Sequence, residues 1–250
     1  MSNDNAPEKR VRKTRHDKGS IKANNRDILA VTLTAEQYAL RFDHIQEFLT
    51  RFPGPGVSEE GLSESAARQV VARWKRADWV YAEQLLAGEP IWIWPTKKGI
   101  QKFGLAPYTS TPPALSRIRH MHAINAVRLI IQDEGDEWIS ERAIRAGKFY
   151  AKGETGHTPD AILKTDDEVI AIEVELTQKK PDDLHKVLHT LLNAWDEEAF
   201  KYRYDQIWYY VTDPAIYKAL VAAREKQQYR RDRMKVNMFD LETWDVKEEE

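Results

Sequence analysis

The residues able to do chemistry gather in one stretch. His157-Thr158-Pro159-Asp160-Ala161-Ile162-Leu163 leads through a polar turn into Val169-Ile170-Ala171-Ile172-Glu173-Val174-Glu175-Leu176-Thr177-Gln178-Lys179. Both runs read as β-strands, with Asp160 at the mouth of the first. Residues two apart on a strand face the same way, so Glu173 and Glu175 share one face, and Ile172, Val174 and Leu176 share the other. A carboxylate in an apolar strand is costly unless it is solvated, paired or bound to a metal. Three carboxylates near a sheet rim offer hard oxygen ligands to a divalent cation such as Mg²⁺, with Asp160 and Glu173 as the first pair and Glu175 completing the set. Such a cation lowers the pKa of a bound water and neutralises charge building on a phosphodiester. His157 could serve as a base, contact DNA or shape its loop. Lys179, just past the strand end, could supply a cation if its side chain turns back. A solvated sheet edge is the plain alternative for the three acids.

The elements that must position these residues follow in chain order. The spacing of Tyr38, Phe42, Ile45, Leu49 and Phe52 predicts one helix over 33–52 with Thr34 as its cap. A second helix is expected over about 63–77, capped by Ser63, with Ala66, Val70 and Trp74 on its apolar face and Arg68, Arg73, Lys75 and Arg76 mostly off it. Two strand-like runs, 79–83 and 91–94, flank a Gly-Glu-Pro turn, and Thr96 caps a last short helix. Residues 106–114 read as a linker by composition. Beyond it a helix is expected over 115–132, with His122 as a core or interface residue. A strand over 138–145 follows, then the two acid-bearing strands. A helix from Pro181 to about 201, a strand over 206–211, a helix over 214–228 and a strand over 234–239 complete the second half. Strands alternating with helices imply an α/β sheet.

The chain has 250 residues, a formal net charge of −2 and no cysteine, which excludes disulfides and cysteine zinc sites. No apolar run approaches the ~18 residues of a membrane span, and a signal-peptide pattern is lacking at the start. A cytoplasmic location is the expectation. Residues 1–27 hold eight Lys or Arg against four acids and lack apolar periodicity. They read as a basic disordered arm, serving solubility or phosphate binding.

Helix, turn, basic helix and hairpin is the order of a winged helix-turn-helix. A helix fits the major groove and the hairpin can touch the flanking backbone. On that reading Arg68, Arg73, Lys75 and Arg76 face phosphates or base edges, with Lys97 and Lys98 just after the wing. Winged helices also dock proteins, so both uses stay open.

Pro159-Asp160, the gap of thirteen to Glu173, and Glu173-Val174-Glu175 resemble the PD-(D/E)xK nuclease-like core. The expected helix 115–132, the strands, helix 181–201 and strand 206–211 are similar to that core's αβββαβ order. The chain as a whole, over roughly residues 30–245, resembles the replication-relaxation proteins of plasmids and mobile elements, which pair a winged helix with a nuclease-like domain. Segments Trp138–Arg142, His157–Asp160 and Glu173–Thr177 carry that likeness. The fold class it implies is α+β to α/β, with a basic arm at 1–27, a winged helix DNA-binding domain at 28–105, a linker at 106–114 and a nuclease-like domain at 115–250.

The resemblance implies a DNA-binding protein of a plasmid, phage or conjugative element. Its partner would be double-stranded DNA, and Mg²⁺ would be the cofactor of a nicking endonuclease. Relaxase or replication proteins of the element are further implied partners, and a homodimer stays open. Glu175 stands where the family's motif has Lys. Some restriction endonucleases of the superfamily use Glu there, and many nuclease-like domains only bind DNA. Cleavage and a non-catalytic regulatory or adaptor role therefore both remain.

Overall fold

The computed structural model describes residues 21–52, 62–149, 157–227 and 229–247. Residues 53–61, between the first two helices expected from sequence, and most of the basic arm lie outside the described residues. The arm's last residues do not belong to an arm: Asn24 caps α1 (Asn25–Glu36), and Asp27 closes the capping box by accepting from the Asn24 backbone.

The first half continues with β1 (Leu40–Arg41), α2 (Phe42–Arg51), α3 (Glu64–Arg76), β2 (Val80–Glu83), β3 (Trp92–Pro95) and α4 (Lys97–Phe103). The single helix expected over 33–52 is two helices and a strand. Thr34 lies inside α1, its hydroxyl bonded back to the Val31 carbonyl at 2.7 Å, so it caps nothing. Tyr38 takes a left-handed φ of 66° and turns the chain into β1. The apolar spacing from Tyr38 to Phe42 spans this break by coincidence, which periodicity alone does not detect. Ser63 and Thr96 cap α3 and α4 as expected. The three strands form an antiparallel sheet of order β1-β3-β2. Trp74, Leu40, Ile45 and Ile93 fill the core beneath it.

The second half runs α5 (Ile118–Ile131), β4 (Glu137–Ser140), α6 (Glu141–Arg145), β5 (Ala161–Lys164), β6 (Val169–Glu175), α7 (Pro181–Leu192), β7 (Trp195–Asp196), β8 (Lys201–Tyr202), β9 (Gln206–Val211), α8 (Pro214–Glu225), β10 (Met234–Phe239) and β11 (Val246–Lys247). Six of these strands make one mixed sheet of order β11-β10-β9-β6-β5-β4. β4, β5 and β6 pair antiparallel, and β6, β9 and β10 pair parallel, with α7 and α8 as the crossovers. Alternation sorts the side chains. Leu163, Ile170, Ile172 and Val174 meet Ala123 and Val127 of α5. Ile162, Ala171, Ile207 and Val211 meet Leu188, Leu191 and Leu220 of α7 and α8.

Two boundaries differ from expectation. The strand over 138–145 stops at Ser140, whose hydroxyl accepts from Ala143 N and starts α6. The helix from Pro181 stops at Leu192. Asp196 then accepts from Glu198 N and Ala199 N, closing the β7–β8 hairpin and leaving Trp195 45% exposed rather than in the apolar stripe. Among the described residues, no helix is long and apolar enough to cross a membrane.

The two halves are tied together on α5. Arg128 pairs with Glu36 at 3.0 Å, Asn125 donates to the Ala39 carbonyl at 2.9 Å, and Arg142 of α6 donates to the Ala35 carbonyl at 2.7 Å. The Pro-rich segment between the halves lies against this seam: Tyr108 is buried, and Arg142 also donates to the Thr109 carbonyl.

Candidate active site and nucleic-acid face

β5 and β6 bring Asp160, Glu173 and Glu175 to one end of the large sheet. Ala161 pairs with Ile172, so Asp160 sits across from Glu173 as the ladder ends, and its carboxylate accepts from Val174 N at 2.9 Å. That bond takes the place of the next backbone rung and fixes the Asp160 side chain against β6. Glu173 and Glu175 are buried. Each acid holds its own base. His120 of α5 lies 2.9 Å from Asp160, His157 lies 2.7 Å from Glu173, and Lys179 turns back to pair with Glu175. Thr177 adds its hydroxyl to Glu175 at 3.3 Å.

The electrostatics follow from burial. Loss of solvent pushes the Glu173 carboxyl up to about 7; the Asp160 charge adds to this, while His157 and Lys179 pull against it. Burial disfavours the imidazolium of His157, but the hydrogen bond to Glu173 and the charges of Glu173 and Asp160 together outweigh it and raise the pKa. For His120, burial likewise lowers the pKa, and the bond to Asp160 with the charges of Asp160 and Glu141 together raise it. Tyr209 of β9 stands in register with Glu173, and its hydroxyl is buried without a partner. Burial, then the charges of Glu173 and Asp160, drive its pKa upward.

The five residues expected here from sequence (His157, Asp160, Glu173, Glu175 and Lys179) are thus brought together. His120 and Tyr209 were not foreseen. His120 and His122 do point apart on α5, but each finds its own partner. Tyr209 becomes visible only from the parallel register of β6 and β9. The acids supply the hard oxygen donors that Mg²⁺ takes. Their present arrangement is ion-paired, so a cation would have to displace the bases.

Among the described residues, the set of Asp43, His44 and His122 brings one ligand atom from each residue within 4.8 Å of the others. Its protons argue against a metal. Arg41 N donates to His44 Nδ1 at 3.3 Å, so the His44 proton sits on Nε2. That Nε2 donates to His122 Nδ1 at 2.8 Å, and His122 passes its own N–H to the Leu241 carbonyl. Both rings are neutral donors in a closed chain, and neither facing nitrogen pair has two free lone pairs. Burial lowers His44 to about 3 and His122 to about 4. The chain joins α2, α5 and the turn before β11, confirming His122 as an interface residue.

The basic residues of the first half divide. On α3, Ser65, Arg68, Gln69, Ala72, Lys75 and Arg76 are exposed. Arg68 pairs with Glu64 and lies over the Phe42 ring, and Lys75 reaches the Ala82 carbonyl on β2. Arg73 faces inward. Its guanidinium forks onto the fully buried Asp27 of α1, so in this fold it is a structural contact rather than part of the exposed face. Lys97 and Lys98 are exposed in the first turn of α4, Lys98 with Asp78 at 3.9 Å.

No protein-family model matches the chain, and no curated protein matches it.

Proposed function

We propose that the chain is a duplex-DNA-binding protein with a nuclease-like second half, acting in replication or mobilisation of a plasmid, phage or conjugative element. The observation that carries the reading is the order α1-β1-α2-α3-β2-β3 with strand order β1-β3-β2. This order is similar to that of a winged helix-turn-helix, in which α3 would be the recognition helix and the β2–β3 hairpin the wing. The exposed face of α3 has small Ser65 and Ala72 beside Arg68, Gln69, Lys75 and Arg76, a composition that can approach base edges and donate to them. Lys97 and Lys98 would then meet the backbone. In the second half, α5, β4 to β6, α7 and β9 are similar to the αβββαβ order of the PD-(D/E)xK core, with the short α6 between β4 and β5 and the β7–β8 hairpin before β9 as additions. This supports the likeness to replication-relaxation proteins read from the sequence.

In the catalytic form of this reading, Asp160 and Glu173 would hold Mg²⁺ and Glu175 would complete the set. The ion would supply an activated water and neutralise charge on the phosphodiester. His157 and Lys179, released from their carboxylates, would be free to donate to a phosphate oxygen. Supercoiled plasmid incubated with the protein and Mg²⁺ or Mn²⁺ should become nicked circle. Asp160→Ala should abolish nicking and keep the gel shift.

A second reading, a non-catalytic regulator or accessory factor that recruits relaxase or replication proteins, is favoured by one observation. Glu175 stands in the position of the motif lysine and is paired with Lys179. Duplex binding without nicking under any divalent cation selects it. Absence of duplex binding overturns both.

A further inference from the structure

Beside Asp160, the turn that leads into α5 and the end of α6 present two arginines, Arg117 and Arg145, locked to the acidic site. Glu141 accepts from Arg117 at 2.8 Å through one carboxylate oxygen and from Arg145 at 2.9 Å through the other. The Glu141 backbone N–H bonds the Asp160 carbonyl at 2.9 Å. The two guanidiniums are therefore held at a set position relative to the Asp160 carboxylate. Glu141 is mostly covered, while the side chains of Arg117 and Arg145 are 49% and 60% exposed. One carboxylate faces two guanidiniums, so the trio keeps a net positive charge. Each guanidinium has five N–H donors, and Glu141 engages only part of them. A cleft of about 20 Å³ opens between Arg117, His120, Glu141 and Asp160. It has room for a water but not for a phosphate, so an anion meeting these arginines lies over the cleft, next to Asp160.

We propose that Arg117 and Arg145 form a second DNA contact, separate from α3, that grips the phosphate backbone of duplex DNA beside the acidic site. The inference rests on the DNA-binding reading above and adds where the backbone runs on the second half. Arginine suits the role because its planar fork binds phosphate oxygens in pairs. Glu141 is the positioning residue that aims both forks. The contact is to the backbone alone and carries no sequence preference.

Anisotropy of a labelled duplex, titrated at several salt concentrations, tests this. Each lost phosphate contact lowers the slope of log K against log salt by about 0.9. The double variant Arg117→Ala/Arg145→Ala should reduce the slope by about 1–2 and weaken binding equally on unrelated sequences. The double variant Arg117→Lys/Arg145→Lys keeps the charge and should keep most of the slope. A wild-type slope and affinity in the alanine variant overturns the proposal. So does equal loss in the alanine and lysine variants accompanied by a lowered melting temperature, which would make the arginines merely structural. If the wild-type protein binds no duplex, the DNA-binding reading itself falls. If it binds and only Arg68→Ala/Arg76→Ala changes the slope, that reading stands and the second contact falls.

Discussion

Replacing Arg73 separates a DNA contact from a fold contact. Its two terminal nitrogens fork onto the Asp27 carboxylate, which is 0% exposed and also accepts from Trp74 Nε1 at 2.7 Å and Asn24 N at 3.0 Å. Arg73→Ala leaves that carboxylate buried with two donors and no counter-charge. Removing one partner of a fully buried ion pair costs about 3–5 kcal/mol. The two surviving donors, and an arginine side chain that is 27% exposed, reduce the expected loss to about 2–3 kcal/mol. For a chain of this size that lowers Tm by about 4–12 °C. Urea unfolding followed by circular dichroism reads it directly. In an Asp27→Asn background, where no buried charge is stranded, the same change should cost about 1 kcal/mol or less. An Arg73→Ala protein with an unchanged urea midpoint but weakened duplex binding would refute the reasoning and return Arg73 to the DNA face.

Two further outcomes follow from the same contacts. His44 and His122 are held neutral, with folded pKa values of about 3 and about 4 against about 6.5 when unfolded. The unfolded chain therefore binds more protons below pH 6.5. The stability these rings contribute is complete above that pH and is lost as pH falls toward 3–4, by about 1.4 kcal/mol per pH unit for each ring. His122→Ala should flatten this acid limb in urea midpoints measured from pH 7 to 4. It should also cost about 1–3 kcal/mol at pH 7, since His44 Nε2–H loses its acceptor. Gly99 sits where α4 meets the hairpin, and a Cβ there would lie 2.1 Å from the Trp79 carbonyl oxygen. Gly99→Ala should destabilise by about 3 kcal/mol; an unchanged Tm would mean that α4 does not approach the hairpin so closely.

Much of the fold is legible because it rests on local rules. Ser63 and Thr96 are caps whose hydroxyls meet backbone N–H groups three residues on. Pro181 and Pro214 open helices at a position where a missing N–H does no harm. From Ile207 to Val211, β9 is an unbroken apolar and aromatic run, as a central strand covered on both faces should be, whereas β10 is interrupted by Lys235 and Asn237. What misleads is local pattern that continues across a tertiary break. Tyr38 keeps a helical spacing through a left-handed residue, and Trp195 extends a leucine stripe into a hairpin.

For the site, alternation along β6 is enough to place Glu173 and Glu175 together, because the side-chain period of a strand is two whatever surrounds it. Sequence also puts Glu175 where the resembled motif has Lys, and leaves open whether the side chain of Lys179 turns back to it. Only the tertiary structure decides how the charges pair, because partners come from elements far apart in the chain. α5 brings His120 to Asp160, β9 brings Tyr209 beside Glu173, and α1 draws Arg73 away from the exposed face of α3 onto Asp27. A helix face can be read from spacing, but the inward turn of one arginine depends on a buried carboxylate 46 residues earlier in the chain.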